Sequence, residues 1–314
     1  MKKRVLNIDK TSIGIFCVVC SEIINGLTFF FIKTAIDAST MFSLLSWRFT
    51  LAFIAMTLLA KFNLIPIHLE RKEVRPLLWI ALFSPIIFFI AETIGIDLTS
   101  TSESGVILAC IPVASLVAST IVLKEKPSKS QVRGIIVTLI GVIITVVAAG
   151  MKISFSPLGY GCLLICVVSY ALYSVRVASA KNVSGPEVTY MMLLCGMVVF
   201  DLLALLEAGI NRNFHILFSL PFVNRTFLIS VLFLSLIGSV MNFMMCVTAI
   251  EYIGVNRAVT FIGVSTTVSI LTGILLLHEP FNKIQAVGSI VILLGVYTAN
   301  LQSPPITIGP REES

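Results

Sequence analysis

Charge is scarce in this sequence. Only 12% of its 314 residues are Asp, Glu, Lys or Arg, about half the ~25% of an ordinary soluble domain. With 57% hydrophobic residues and a mean hydropathy of +1.02, its polar atoms cannot cover a water-facing surface. A soluble globule is therefore excluded. Histidine is scarcer still: His68, His215 and His278 fall in loops or at helix ends and form no metal-ligand spacing. There is no Walker loop, which argues against ATP drive, and no cofactor or metal is expected. No spanning run carries paired aspartates or a Ser/His pair, so no enzyme is expected. The seven cysteines all lie in apolar runs. Cys17-x-x-Cys20 has redox spacing without a βαβ context, and these cysteines read as small apolar fillers. No small-residue cleavage site closes the first apolar run, so a cleavable signal peptide is not expected. The net charge of +6 does not call for nucleic acid, because the basic residues sit in the short breaks between apolar runs, where membrane topology explains them.

What the chain has in abundance is apolar runs of spanning length, at 13–34, 42–60, 76–97, 103–123, 131–149, 158–178, 187–206, 226–249, 257–277 and 284–301. A bilayer core needs about 20 helical residues. None of the runs alternates with the period of a barrel strand, so each reads as a helix. The expected fold is an all-α membrane protein of ten transmembrane helices, flanked by a segment 1–12 and a tail 302–314 that reads as disordered. The connections are short, the longest being 61–75 and 207–225. With the N-terminus in the cytoplasm, 16 of the 22 Lys and Arg residues lie inside, 5 outside, and Arg48 within a helix. That bias places both termini in the cytoplasm. A compact chain without added domains is expected in a bacterial inner membrane, as a monomer or homodimer.

The halves resemble each other at an offset of 154 residues. Asp97 matches Glu251, Glu125 matches Glu279, Gln131 matches Gln285, Gly134 matches Gly288, and Gly141-Val142 matches Gly295-Val296. Leu-x-Glu, Gln-x-x-Gly and Gly-Val thus recur at 123–142 and 277–296. Each half, 13–149 and 158–301, holds five expected helices. An odd number makes the second half enter from the opposite side, so the repeat is inverted, and transporters built this way bind substrate near midplane between the repeats. The four glycines of the repeat would let helices approach closely.

These motifs, with Gly105, Pro112 and Leu123-Lys124-Glu125, resemble the EamA family of the drug/metabolite transporter superfamily over nearly the whole chain. The second copy departs from the pattern where Thr266 takes the place of Pro112. The resemblance implies a carrier of small solutes working by alternating access, without naming the solute. The segment Ser21-Glu22-Ile23-Ile24-Asn25-Gly26-Leu27-Thr28 also resembles the first helix of small multidrug resistance proteins of the same superfamily. There a glutamate shared between protons and organic cations drives antiport.

Ionisable residues inside spanning helices are functional suspects. Glu22 stands near the middle of the first run, where a carboxylate must pair, face a water-filled cavity or carry a proton. Asn25 and Gly26 share its face at i+3 and i+4. Arg48, one-third into the second run, has three readings: pairing with Glu22, binding a substrate carboxylate, or snorkelling outward. Glu22 and Arg48 in one cavity would suit a zwitterion such as an amino acid. Glu92 lies beyond the helix break expected at Pro85. Tyr170, Tyr173 and Ser174 share a face, with the tyrosines able to stack on a cationic ligand. Asn242 lies deep in its run and needs a partner. The candidate substrate or proton site is therefore Glu22, Asn25, Arg48, Glu92, Tyr170, Tyr173 and Asn242. Glu125 and Glu279 read as helix-end residues, and Asp201 and Glu207 as solvated near an outer end. The expected partners are the lipid bilayer, a small-molecule solute, and a proton or counter-substrate. A carrier of anionic or phosphorylated metabolites would want several cavity cations, and only Arg48 qualifies.

Overall fold

Local chemistry sets where the helices begin. In the computed structural model, which describes residues 9–36, 38–68, 71–98, 107–108, 110–124, 126–148, 156–180, 183–276 and 283–300, every regular element is helical. Helix α1 spans Lys10–Ile36. Helix α2 (Met41–Lys61) starts at Thr40, whose hydroxyl accepts the Ser43 N–H, the side-chain cap that satisfies an orphan donor of the first turn. Then come α3 (Arg71–Ala81), a π-helical segment Leu82–Ile87 and α4 (Phe88–Leu98). They are followed by α5 (Ile111–Val122), α6 (Lys129–Ala148) and α7 (Pro157–Ser179). Helix α8 (Gly185–Asn211) opens with a capping box, and a short helix α9 (Phe214–Val223) comes next. A second π-helical segment, Phe233–Met241, joins α10 (Arg225–Leu232) to α11 (Asn242–Ile253). Gly254 then turns the chain with φ 75°, a conformation glycine adopts without Cβ strain. Helix α12 (Val255–Ala258), a 3₁₀ turn, α13 (Ile262–Leu276) and α14 (Lys283–Asn300) complete the fold.

Among the described residues, six stretches are long and apolar enough to cross a membrane: Lys10–Ile36, Met41–Lys61, Val74–Gly95, Pro157–Ser179, Gly185–Asn211 and Arg225–Ile253. Ile111–Val122 and Ala286–Ala299 are apolar but shorter. Large apolar side chains line the outside, among them Ile54, Val117, Leu206 and Leu294, the surface a lipid-facing protein requires. The chain is a membrane protein, helical in every regular element among the described residues. The 207–225 stretch, expected as a loop, instead extends α8 to Asn211 and forms α9. Its apolar residues lack spanning length, which hid a helix that ends the α8 connection.

Helix α1 lies against α11 and α13, and α7 lies against α4 and α5. Helix α2 packs on α8, and α6 runs along α14. The two π segments fall near the positions that the 154-residue offset equates, Pro85 with Ser239. In the first, Ser84 leaves helical geometry (φ −144°, ψ 123°) and the Ser84–Pro85 bond is cis. The largest buried aromatics, Phe49, Phe200 and Phe227, fill the space between helices.

The start of α8 carries a test. Glu187, buried, accepts the N–H groups of Ser184 at 2.7 Å and of His68 at 3.0 Å. It therefore caps its own helix and ties down the segment after α2. Glu187→Ala leaves both donors without that acceptor and is expected to cost about 1–2 kcal/mol, with Glu187→Gln costing less. Thermal unfolding of the purified protein reads both, and an alanine variant as stable as wild type would rule out the tie.

Candidate functional site

Glycine brings α1 and α13 together at the centre of the first helix. A Cβ on Gly26 would meet the Ser265 carbonyl at 2.7 Å, so only glycine lets Ser265 come this close. Glu22, 4% exposed, is hydrogen-bonded to Ser265 and Asn25. Asn25 Oδ1 accepts from Asn242 Nδ2 at 2.7 Å, and Asn242 Oδ1 accepts from the Ser21 hydroxyl at 2.7 Å. A polar chain thus joins α1, α11 and α13 within an apolar interior, where each group needs a partner. The Ser265 hydroxyl also lies 2.7 Å from the Ile262 carbonyl of its own helix, which holds it against Glu22.

Tyr170 and Tyr173 close the next wall. Both hydroxyls meet the Cys246 sulfur at 3.9 Å, and the two rings stand 5.6 Å apart. Phe88 continues the aromatic surface at 5.8 Å from Tyr170. Glu22 lies within electrostatic reach of Tyr170 and Cys246.

Arg48 belongs to a second group. It is 3% exposed. Its Nε donates to Ser239 Oγ at 2.8 Å, and Nη2 donates to the Gly238 carbonyl at 3.0 Å. The guanidinium lies 4.8 Å from the Phe89 ring centroid, a cation–π distance. Glu92, one turn beyond Phe89 on α4, interacts with Arg48 through space. The second π segment makes this latch possible, because π-helical bonding re-aims the backbone where it departs from the α ladder. The sequence candidates therefore divide. Glu22, Asn25 and Asn242 form one hydrogen-bonded cluster with the tyrosines beside it, and Arg48 and Glu92 form another.

Ser265, Ser239, Ser21 and Cys246 escaped the sequence reading. Serine is common in spanning helices and Cys246 looked like filler; only the Gly26 face pointed toward Ser265. Asp201 and Glu207, expected to be solvated, are partly exposed and also bond to α2. Asp201 accepts from the Ser46 and Thr50 hydroxyls of α2, the latter at 2.9 Å, and Glu207 accepts from Thr40 at 2.6 Å. They tie α8 to α2. Glu103, Glu125, Glu279 and His278, and the side chains of Asp97 and Gln285, lie outside the described residues. Among the described residues no three His, Cys, Asp or Glu side chains are grouped to hold a metal.

The EamA-like transporter family model matches this chain twice, over residues 12–147 and 157–301. The chain belongs to the EamA-like transporter family. A Bacillus subtilis (strain 168) relative, "Uncharacterized transporter YcxC", is 30% identical over 280 residues, covering 88% of this chain and 89% of its own. An "Uncharacterized transporter" of Archaeoglobus fulgidus is 23% identical over 274 residues, covering 87% and 93%. A crystal structure at 17% identity superposes with a TM-score of 0.71 over 93% of this chain and 98% of that one, a likeness of fold. As an EamA-like protein with transporter relatives, the chain is a multi-pass membrane transporter.

Proposed function

We propose that this EamA-like protein is a secondary transporter of a small organic solute: an amino acid, an amine or a related metabolite. It exports or exchanges the solute by alternating access of two inverted five-helix halves around the Glu22 cluster. The observation that carries the reading is Glu22 itself, a carboxyl buried at mid-helix whose contacts Ser265 and Asn25 are neutral. An isolated carboxylate in that setting is costly. Burial without a counter-charge supports a carboxyl that carries a proton. A cation arriving at Glu22 would then displace that proton, which makes proton-coupled exchange the natural energy source.

The surroundings of Arg48 favour an amine over an anion. Its guanidinium is engaged by Ser239, Gly238, Phe89 and, through space, Glu92. A substrate carboxylate would have to displace these, whereas an ammonium at Glu22 meets a carboxyl without a counter-charge and the faces of Tyr170 and Tyr173. The distribution of Lys and Arg supports cytoplasmic termini, and the sites that the 154-residue offset equates support the paired halves. The membrane is that of a bacterial cell, and the protein acts as a monomer or homodimer.

Ligand-dependent thermal stabilisation of the purified protein tests this across amines, amino acids, nucleosides and organic acids, with Glu22→Gln alongside. An amine or amino acid should stabilise the wild type, and the variant should lose at least about tenfold in affinity, the scale of one charge-assisted contact. An anion or neutral solute that stabilises both proteins equally would remove Glu22 from the substrate site.

A further inference from the structure

A small cavity lies away from the Glu22 cluster, where the start of α2 meets the end of α8 and helix α9. Its volume is about 30 Å³, room for one or two water-sized species. The polar groups that line it are Ser39, Thr40, Ser43, Glu207 and Asn213, and every side chain among them presents an oxygen. Ser43 is the informative one. It is 5% exposed, and its hydroxyl has no hydrogen-bond partner. A buried hydroxyl in that state is costly, and of the four such hydroxyls among the described residues Ser43 is the one that lines this cavity.

We propose that this cavity binds a small monovalent cation, sodium in size, coordinated by oxygen. Four features support the choice. First, the Glu207 carboxylate supplies one negative charge. Thr40 donates to its Oε2, which orients the group and leaves Oε1 for a ligand. Second, one carboxylate with neutral hydroxyl and amide oxygens matches a single positive charge; Ca²⁺ sites use more carboxylates, and these hard oxygens do not suit softer transition metals. Third, Glu207 stands in the last turns of α8, whose terminal carbonyls favour a cation. The opposing start of α2 is already matched by Glu207 through Thr40. Fourth, the volume fits a bare or singly hydrated ion, a smaller guest than the organic solute proposed for transport. An ion held here bridges α2, α8 and the segment leading into α9, and so clamps that end of the α2–α8 pair.

The experiment compares thermal unfolding of the purified full-length protein in NaCl, KCl and choline chloride at equal ionic strength. Sodium should raise the transition temperature saturably by a few degrees, with potassium weaker and choline without effect. Ser43→Ala and Glu207→Gln separate a ligand from packing. Ser43→Ala removes a buried hydroxyl that lacks a partner, so in choline it should be as stable as wild type or more so, while losing most of the sodium response. Glu207→Gln keeps the acceptor for Thr40 and should also lose the response. If Glu207→Gln does not fold, Ser43→Ala decides alone. Equal transitions in all three salts would mean that the cavity holds only water and would overturn the proposal. So would a sodium response that Ser43→Ala leaves intact. Neither result bears on Glu22, whose test reads organic ligands.

Discussion

Replacing Arg48 by methionine is expected to destabilise the protein by about 3–5 kcal/mol, the range for removing one member of a buried charged group. Methionine keeps much of the stem's apolar volume, so the loss isolates the guanidinium. The change leaves the Gly238 carbonyl without its Arg48 donor and Glu92 without a nearby cation. Ser239 suffers less, because its hydroxyl also donates to the Leu234 carbonyl at 2.9 Å. Lysine should restore only part of the loss, since one ammonium does not reproduce the fork that reaches Ser239 and Gly238 from separate nitrogens. Adding Glu92→Gln to Arg48→Met should recover about 1 kcal/mol or more, because the two charges act on each other and their substitutions are not additive. Chemical or thermal unfolding of wild type, Arg48→Met, Glu92→Gln and the double variant closes the cycle. If Arg48→Met came within about 0.5 kcal/mol of wild type, the ordinary range of a surface change, the latch would be wrong and Arg48 would become available to a substrate carboxylate.

The same residue shows how far the sequence could be read. A single arginine inside an apolar run stands out by cost alone, and so does Glu22. Depth in the run placed Asn242 among them as well. What depth cannot give is the partner. Pairing of Arg48 with Glu22 was one expectation, yet the two face different clusters, because helix rotation is set by packing and not by composition. The first π segment announces itself through Pro85, which cannot continue an α ladder. The second has no proline. Its only sequence trace is its place at the 154-residue offset from the first, which becomes meaningful once both are seen. Asp201 was read incompletely for a related reason. Closeness to a helix end suggested water, but Ser46 and Thr50 lie opposite on α2, and hydroxyls four residues apart share a helix face.

The α6–α14 contact gives the second large expected effect, opposite in sign to the same change at an open glycine elsewhere. At Gly134 an added Cβ would overlap the Cβ and backbone of Ala299. At Gly141 it would come within 2.6 Å of the Ile292 backbone nitrogen and 2.8 Å of the Gly288 carbonyl, and at Gly295 it would overlap Thr138. Backbone cannot rotate aside as a side chain can, so alanine at Gly134 must push the two helices apart. Overpacking of this kind costs about 1–3 kcal/mol, and leucine should cost more. Lipid offers little compensation, because separated helices are already in an apolar solvent and close packing is what holds them together. Gly161 in α7 is the internal control. A Cβ there meets nothing within 4 Å, so Gly161→Ala should stabilise by about 0.5–1 kcal/mol through backbone entropy alone. Thermal unfolding of the two alanine variants should therefore move in opposite directions. If Gly134→Ala instead rose with Gly161→Ala, the α6–α14 seam would be able to open at little cost. The repeated glycines would then mark a place where the two halves move past each other, not a place where they are fixed.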